Sequence, residues 1–166
     1  MDITISKIHQ PGHIDIVVKL ADEIWRQHFI PIIGPQQVNY MLEKYQSHKA
    51  ITEQIEAGAE YALALHDEEA VGYTCLIPEK AENKIIISKL YVKREYRGCG
   101  IGTKLLAYIR KECQQRKLNT AWLTVNRFNQ KTIEWYENSR FEIIDEVKKD
   151  IGGGFFMDDF IMQMKI

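Results

Sequence analysis

The sequence is poor in cysteine and has no long apolar run, and both features limit where the protein works. Its three cysteines, Cys75, Cys99 and Cys113, are too widely spaced for a disulfide framework or a zinc-ligand pair, and they fit a reducing compartment. No segment approaches the roughly 20 apolar residues needed to cross a bilayer. The opening MDITISKIHQ lacks the basic and apolar parts of a secretion signal, so we expect a cytoplasmic protein.

An excess of charge of either sign is also absent. The 22 basic residues (Lys and Arg) and 23 acidic residues (Asp and Glu) give a net charge of −1. This balance excludes a nucleic-acid binder that relies on a basic surface. The histidines are scattered without the spacing of metal ligands, so we expect no metal site. A hydrophobic content of 45% and a length of 166 residues predict a single globular domain over residues 1–166.

Hydrophobic periodicity predicts helices and strands along the whole chain. The first helix, over residues 14–29, carries an apolar stripe that we expect Pro31 to end. The most strand-like run, KIIISKLYV at 84–92, is apolar enough for a central position in a sheet. The other predicted elements are a strand over 3–8, helices over 35–46 and around 51–55, a hairpin over 61–77, a helix over 101–116, a strand over 119–125, a helix over 129–138, and strands over 141–147 and 155–165. This order predicts an α+β fold with a mixed, mostly antiparallel sheet and helices on both faces.

A glycine loop follows the predicted central strand. Residues 97–102 read Arg-Gly-Cys-Gly-Ile-Gly and directly precede a helix. Alternating glycines let the backbone turn tightly and approach a ligand closely, since no Cβ intervenes. The helix directs free N–H groups and its positive dipole end at the same point. Together with Arg97 this arrangement is typical of a phosphate site, and a tight turn that binds nothing is the alternative.

Neither common nucleotide-binding motif fits this loop. A Walker A loop needs two glycines five apart before Lys and Ser or Thr, whereas Gly102-Thr103-Lys104 has the wrong order. The dinucleotide fingerprint needs a third glycine where Thr103 stands and an acidic residue near Val125. Both nucleotide classes are therefore excluded.

Two segments carry a resemblance to a known family. The strand KLYVKREYRG with Arg97-x-x-Gly100-x-Gly102 resembles the acyl-CoA pyrophosphate loop of the GNAT acetyltransferase superfamily. Asn129, Tyr136 and Phe141 resemble that family's Asn…Tyr…Gly-Phe segment, and the order of elements matches over nearly the whole chain. The resemblance implies a GNAT-like central sheet of about seven strands. It also implies direct transfer of an acetyl group from acetyl-CoA to an amine, without a covalent enzyme intermediate.

The same resemblance assigns residues to acetyl-CoA. Leu90, Tyr91 and Val92 of the central strand match the residues that pair with the pantetheine arm, and Asn129 matches one that contacts it. The residues expected at the pyrophosphate are Arg97, Gly98, Cys99, Gly100, Ile101, Gly102 and Thr103. A mixed disulfide between Cys99 and CoA is conceivable, but a passive small residue is the simpler interpretation.

Tyr136 matches the family's catalytic tyrosine. Its phenol can protonate the departing CoA thiolate, and a core tyrosine beside Trp135 is the alternative. One residue near it departs from the family pattern. Arg140 stands where the family usually has a glycine before Phe141, so we expect this turn to adopt another conformation.

The general base has no obvious candidate. The central strand offers Ser88 and Lys89 where many family members carry a carboxylate, which puts a direct acidic base in doubt. An alkylammonium acceptor has a pKa of about 10 and must lose a proton before it attacks the thioester. Ser88, Tyr91 or a chain of waters are the alternatives for passing that proton. A backbone N–H between Leu90 and Val92 would stabilise the oxyanion.

The acceptor side is less clearly marked. The helices over 14–29 and 35–46 border the acceptor pocket in the family, which makes candidates of Trp25, Phe29, Tyr40 and Tyr73, with core packing as the alternative for each. The segments IWRQHF, QQVNYMLEKYQS and GGGFFMDDFIMQMKI are similar to the bacterial diamine/spermidine acetyltransferase branch. A polyamine-like acceptor would need acidic partners, for which the candidates are Glu43, Glu79, Glu82, Asp158 and Asp159.

The leading prediction is therefore an N-acetyltransferase that acts on a small amine. A protein or peptide N-acetyltransferase is one alternative. A non-catalytic acyl-CoA sensor is another, favoured by Ser88 and disfavoured by Tyr136 and Asn129. The last strand is partly apolar on both faces, which fits a place inside the sheet or an edge that pairs with another subunit. Because family members often dimerise, we expect a homodimer.

Overall fold

A computed structural model describes all residues from Met1 to Ile166, and it has seven strands and five α-helices. The elements are β1 (Thr4–Lys7), α1 (Gly12–Ile33), α2 (Pro35–Gln46), α3 (His48–Glu56), β2 (Glu60–His66), β3 (Glu69–Glu79), β4 (Lys84–Val92), α4 (Ile101–Gln115), β5 (Thr120–Asn126), α5 (Gln130–Asn138), β6 (Glu142–Gly152) and β7 (Phe155–Lys165). This architecture confirms the predicted α+β class. None of the helices combines the length and the apolar character that crossing a membrane requires.

The strands form one sheet in the order β1-β2-β3-β4-β5-β7-β6, with β4 at its centre as predicted. All neighbours are antiparallel except β4 and β5, which run parallel. That parallel pairing is short, because only Lys84–Ile86 pairs with Thr120–Trp122. Beyond Ile86 the two strands are no longer paired, so the sheet opens into a cleft along the second half of β4.

Helices cover both faces of the sheet, as the periodicity predicted. On one face, α1, α2 and α3 bury residues such as Val17, Ile24 and Ile51 against Tyr73. On the other face, α4 and α5 pack on β4, β5 and β7 through a second cluster that includes Leu106, Ile109, Leu123 and Met162. Each fully buried aliphatic side chain contributes about 1.5–3 kcal/mol relative to its exposed state, so these two layers fix where the cleft lies.

Helix α1 does not end where the sequence predicted. It continues to Ile33, with Pro31 inside its last turn, and Gly34 ends it with φ of +84°. Proline has no N–H, so the carbonyl of Gln27, four residues earlier, loses its helical hydrogen bond. The guanidinium of Arg94, in the short turn after β4, donates to that carbonyl at 2.6 Å. The expected break is therefore compensated by a contact from a distant loop.

The last two strands resolve the alternatives for the end of the chain. β7 lies inside the sheet between β5 and β6, and β6 is the edge strand. β6 also extends beyond its predicted end, to Gly152, before a turn through Gly153 and Gly154. The side chains of β6 are almost all exposed.

Arg140 keeps the backbone conformation of a glycine, contrary to our expectation. Its φ is +76°, in the left-handed region that a Cβ disfavours. The turn closes α5, since the N–H of Arg140 donates to Glu137 and that of Phe141 to Tyr136. The closing hydrogen bonds therefore hold an arginine where glycine is less strained.

We predict that Arg140→Gly stabilises the protein by about 1 kcal/mol, because glycine adopts this φ without a steric penalty. Denaturant unfolding of the wild type and the variant measures the change. Arg140→Ala is the matched control, since it removes the exposed side chain but keeps the Cβ, and it should give no gain. An equal gain in both variants would assign the effect to the side chain instead.

Candidate functional site

The opening between β4 and β5 leads into a cavity of about 730 Å³ that passes through the sheet. Residues of α1 and α2 line it on one side, and the glycine loop, α4 and α5 line it on the other. Because β5 has diverged, the backbone of Leu90, Tyr91 and Val92 faces this cavity without a strand partner on that side. Such a strand edge can pair with an extended ligand.

The glycine loop has the geometry that its sequence predicted. Gly98 and Gly100 adopt φ of +77° and +80°, and α4 begins at the next residue, Ile101. Gly102 serves a different purpose, because a Cβ there would lie 2.8 Å from the indole of Trp135. The loop therefore brings the N-terminal N–H groups of α4 to the cavity, where they favour an anion.

The loop residues that line the cavity are Arg97, Gly98, Gly100, Ile101, Gly102 and Thr103. Cys99 does not, although the sequence placed it with the others. Its exposed thiol lies 3.9 Å from the carbonyl of Arg97, two residues earlier. The side chain of Cys99 therefore lies outside the predicted pyrophosphate site.

One histidine connects the two sides of the cavity, and its partners could not be predicted from sequence spacing. Nη1 of Arg97 lies 3.2 Å from Nδ1 of His28 on α1, and Nε2 of His28 lies 2.9 Å from Oδ1 of Asn129. Arg97 can only donate, so Nδ1 accepts and Nε2 carries the hydrogen that it donates to Asn129. Burial lowers the pKa of His28, the hydrogen bond to Asn129 opposes this, and the positive charges of Arg97 and Arg94 lower it further. His28 is therefore held neutral.

Tyr136 lies on α5 and is only 6% exposed. Its ring packs against Trp135 and Phe141, with centroids 5.0 and 5.2 Å away, and it also lines the cavity. Burial raises the pKa of its phenol well above the usual range. The two interpretations of Tyr136 are compatible, since a residue packed in the core holds a protonated hydroxyl at the cavity.

The other side of the cavity is aromatic. Trp25, Phe29 and Tyr91 form a cluster with ring centroids 4.3 Å (Trp25–Phe29), 5.8 Å (Trp25–Tyr91) and 6.2 Å (Phe29–Tyr91) apart, and all three line the cavity. The buried indole N–H of Trp25 has no hydrogen-bond partner. This wall offers apolar surface to a ligand.

Tyr40 and Tyr73 do not line the cavity, contrary to the prediction. Tyr73 is fully buried between the sheet and α2, where it donates to Gln46 at 3.0 Å. Tyr40 packs on the turn after β6 and donates to the carbonyl of Ile151 at 2.5 Å. A Cβ at Gly152 would lie 2.5 Å from the Tyr40 hydroxyl, which explains a glycine there. Helical and strand spacing indicated that both tyrosines pack inward, but it could not distinguish the cavity from other packed parts of the protein.

The two residues at the expected position of a base differ in their surroundings. Ser88 is the extra residue of a β-bulge, because Cys75 pairs with Lys89 and Leu76 with Ile87, and it lines the cavity. Lys89 is 4% exposed, and burial lowers its pKa to about 8. All three of its protons have acceptors, which are the Tyr45 carbonyl at 2.6 Å, the Gln54 side chain at 2.9 Å and the Tyr61 hydroxyl at 2.5 Å. Lys89 thus fastens α2 and α3 to β4.

The five acidic candidates do not form a single cluster. Glu79 and Glu82 form ion pairs with Lys84 at the far end of β4. Asp158 pairs with Arg127 at 2.7 Å. Neither these three nor Glu43 lines the cavity, whereas Asp159 does.

Comparison with known proteins agrees with this geometry. A family model described as the acetyltransferase (GNAT) family matches residues 18–141. N-alpha-acetyltransferase 50 of Danio rerio is 31% identical over 97 residues, which are 57% of this chain and 58% of that protein. The chain therefore spans less than two thirds of that relative.

Solved structures share the fold over the full length. The PaiA N-acetyltransferase of Thermoplasma acidophilum, in complex with coenzyme A, has a TM-score of 0.84 and 23% identity, covering 100% of both chains. The ribosomal-protein-S18-alanine N-acetyltransferase of Escherichia coli has a TM-score of 0.75 and 17% identity, covering 99% of this chain and 94% of that one. At these identities the likeness establishes a common architecture.

We predict opposite shifts of the His28 pKa when its two partners are replaced. Arg97→Gln removes a positive charge, so the pKa should rise, whereas Asn129→Ala removes the acceptor that favours the protonated ring, so it should fall. NMR titration of the His28 ring, assigned with a His28→Gln variant, measures both shifts. Arg94→Gln is the control and should give a smaller rise. Shifts of the same sign in the Arg97 and Asn129 variants would contradict the hydrogen-bond chain.

Proposed function

Because the chain belongs to the acetyltransferase (GNAT) family, we propose that it moves an acetyl group from acetyl-CoA to a primary amine of a small molecule. The proposal covers the acyl-CoA-dependent activity of this chain, its acceptor and its site residues. The observation that carries it is the single cavity that joins the glycine loop to a wall of aromatic rings. That cavity can hold both substrates with their reacting groups between β4 and β5.

The acetyl-CoA half of the cavity fits the predicted contacts. The diphosphate would bind the N–H groups at the start of α4 together with Arg97. The pantetheine arm would lie along Leu90, Tyr91 and Val92, where the edge of β4 is open, with Asn129 beside it. A backbone N–H of the same segment would stabilise the oxyanion as the thioester is attacked.

Tyr136 would protonate the leaving thiolate. Its raised pKa keeps the phenol protonated at neutral pH, which is the state that a proton donor needs. The CoA thiol has a pKa of roughly 8.5, so protonation helps it depart. A sensor that does not turn over acyl-CoA is set aside, because the family is one of acetyltransferases.

A protein or peptide amine is the second candidate acceptor. It is favoured by the name of the matching relative from Danio rerio, N-alpha-acetyltransferase 50. The small-molecule acceptor is favoured by the cavity, because α1 and α2 cover its acceptor side and aromatic rings enclose it. The three free thiols, Cys75, Cys99 and Cys113, support the proposal that the reaction takes place in the cytoplasm.

Mass spectrometry of acetylated products distinguishes these acceptors. The protein is incubated with acetyl-CoA and, separately, with polyamines, arylalkylamines, amino acids, aminoglycosides and short peptides. We expect fast turnover with a small amine. Turnover with peptides alone would establish the second candidate, and no turnover with any amine would overturn the proposal.

We predict that Tyr136→Phe lowers kcat about tenfold or more, because the leaving thiolate loses its proton donor, with little change in the Kd of acetyl-CoA. Steady-state kinetics and calorimetry measure the two quantities. Tyr108→Phe on α4 is the matched control, since Tyr108 packs in the same core but does not line the cavity. Unchanged kcat in Tyr136→Phe would exclude the acid role.

We further propose that β6 pairs with β6 of a second copy to form a homodimer. Ile143, Ile144 and Val147 are 43%, 48% and 38% exposed on this edge strand, which leaves apolar surface and a free backbone edge. The strand is also self-complementary in charge, because Asp145 and Glu146 precede Val147 and two lysines follow it. Antiparallel pairing about Val147 would set each acidic residue against a lysine of the other copy.

We predict that Asp145→Lys abolishes this dimer, since it would place two lysines opposite each other. Adding Lys149→Asp reverses both charges and should restore it. Light scattering at micromolar concentration gives the mass in each case. A wild-type protein that is monomeric there, or a double variant that stays monomeric, would count against β6 as the interface.

A further inference from the structure

Asp159 is the only carboxylate that lines the cavity. It lies on β7, opposite Asn126 of β5 and Val147 of β6, and it is 7% exposed. No basic side chain pairs with it, because Arg127 forms its ion pairs with Asp158 and Glu146. A buried carboxylate without a cation is unfavourable, so a cationic ligand that reaches it gains the missing partner.

Three of the four basic side chains that line the cavity have other partners, and the fourth, Lys131 of α5, forms no ion pair with Asp159. Arg97 and His28 belong to the chain of hydrogen bonds at the glycine loop. Lys89 donates all three of its protons to neutral acceptors of α2, α3 and β2. The cavity thus has positive charge at the glycine loop, where a diphosphate would bind, and its one carboxylate on β7.

We propose that Asp159 binds the ammonium group of the acceptor and takes its first proton, as the general base of acetyl transfer. This inference rests on the proposed function and names the group that the sequence left open. Ser88 replaces the usual carboxylate of β4, and Asp159 supplies one from β7 instead. The aromatic cluster of Trp25, Phe29 and Tyr91 faces the same space, where it can pack on the apolar part of the amine and on its charge.

The protons and bonds of the step balance. Asp159 takes one proton from the ammonium, and the nitrogen lone pair attacks the thioester carbonyl carbon to form the C–N bond. The C–S bond then breaks, and Tyr136 protonates the sulfur. The nitrogen loses its second proton, which restores the phenol through solvent, and Asp159 releases its proton to water. The products are the acetamide, CoA thiol and one proton in solution.

The surroundings of Asp159 suit a base that works near neutral pH. Burial and the neighbouring charge of Asp158 raise its pKa to about 6, although the Thr124 hydroxyl and Arg127 oppose the shift. The carboxyl is therefore ionised at pH 7 and more basic than an exposed one. Burial and the negative charge of Asp159 also raise the pKa of Tyr91, so Asp159 lies near the open edge of β4.

Other titratable groups face the same space. Asp145 and Lys149 flank the position of Val147 on the neighbouring strand β6. The titratable residues that line the cavity from the remaining elements are His28, Tyr45, Lys89, Tyr91, Tyr96, Arg97, Lys131 and Tyr136. None of these lining residues is a carboxylate, and Asp145 does not line the cavity, so the acid limb of the rate profile belongs to Asp159 alone among the acidic groups of the cavity.

A substrate preference follows from this position. An amine whose ammonium carbon bears a carboxylate would bring a second negative charge to Asp159. Phenethylamine and phenylalanine form a matched pair, since they differ only in that carboxylate. We expect kcat/KM for phenethylamine to exceed that for phenylalanine by about 100-fold or more.

The decisive variant is Asp159→Asn, with Asp158→Asn as its matched neighbour. We expect Asp159→Asn to lower kcat/KM for phenethylamine by about 100-fold and to remove the fall in rate below about pH 6, while the Kd of acetyl-CoA changes less than about twofold. Its Tm should not fall, because an unpaired buried charge is removed. Asp158→Asn should keep kcat/KM within about threefold. If Asp159 were merely structural, Asp159→Asn would instead lower the Tm and the activity together.

Each remaining outcome is informative. If Asp159→Asn has the same activity and the same pH profile as the wild type, the inference is overturned and the proposed function is unaffected. If the wild type acetylates no amine, calorimetry with phenethylamine in the presence of CoA tests Asp159 directly. Loss of phenethylamine binding in Asp159→Asn, or in the wild type below about pH 5, supports the role of Asp159. Equal binding of phenethylamine to the wild type and the variant overturns it.

Discussion

The whole molecule depends on one short piece of backbone pairing. Three residues of β4 pair in parallel with three of β5, and then the strands separate. An unpaired strand edge inside a protein leaves N–H and C=O groups without partners, and these must be satisfied by a ligand or by water. The proposed substrate site is therefore a consequence of the sheet itself. Where β4 and β5 form no hydrogen bonds with each other, an extended molecule can pair with the open edge of β4.

Polar contacts keep this opening in shape, because apolar packing alone would close it. On one face, Lys89 fixes the junction of α2 and α3 to the central strand, and its buried charge is satisfied by neutral oxygen atoms. On the other face, His28 joins α1 to Arg97 and Asn129. Both contacts cross between elements that are distant in sequence, and both lie in the wall of the cavity. A buried polar network of this kind specifies one arrangement when all of its members are satisfied.

The sequence predicted the parts of the site that local geometry determines. Gly98 and Gly100 predict a backbone with positive φ, and the structure has it at both positions. Because the next helix starts within two residues, the loop and the helix could be predicted together. Asp159 stood among five acidic candidates, because nothing in the chain says which carboxylate a β-sheet will turn inward. The prediction that Pro31 ends α1 was wrong, because the sequence does not show that a distant arginine donates a hydrogen bond to the carbonyl that proline leaves without a partner.

That contact between Arg94 and the Gln27 carbonyl has a thermodynamic consequence. Helix α1 carries Trp25 and Phe29 of the aromatic wall, and Arg94 immediately precedes the glycine loop, so this hydrogen bond connects the two sides of the cavity. A ligand that ordered α1 would also reduce the entropy cost of ordering the loop. Such coupling is reciprocal, because each ligand would then tighten the binding of the other by the same factor. The proline in the last turn of α1 thus creates a connection between the two sides of the cavity.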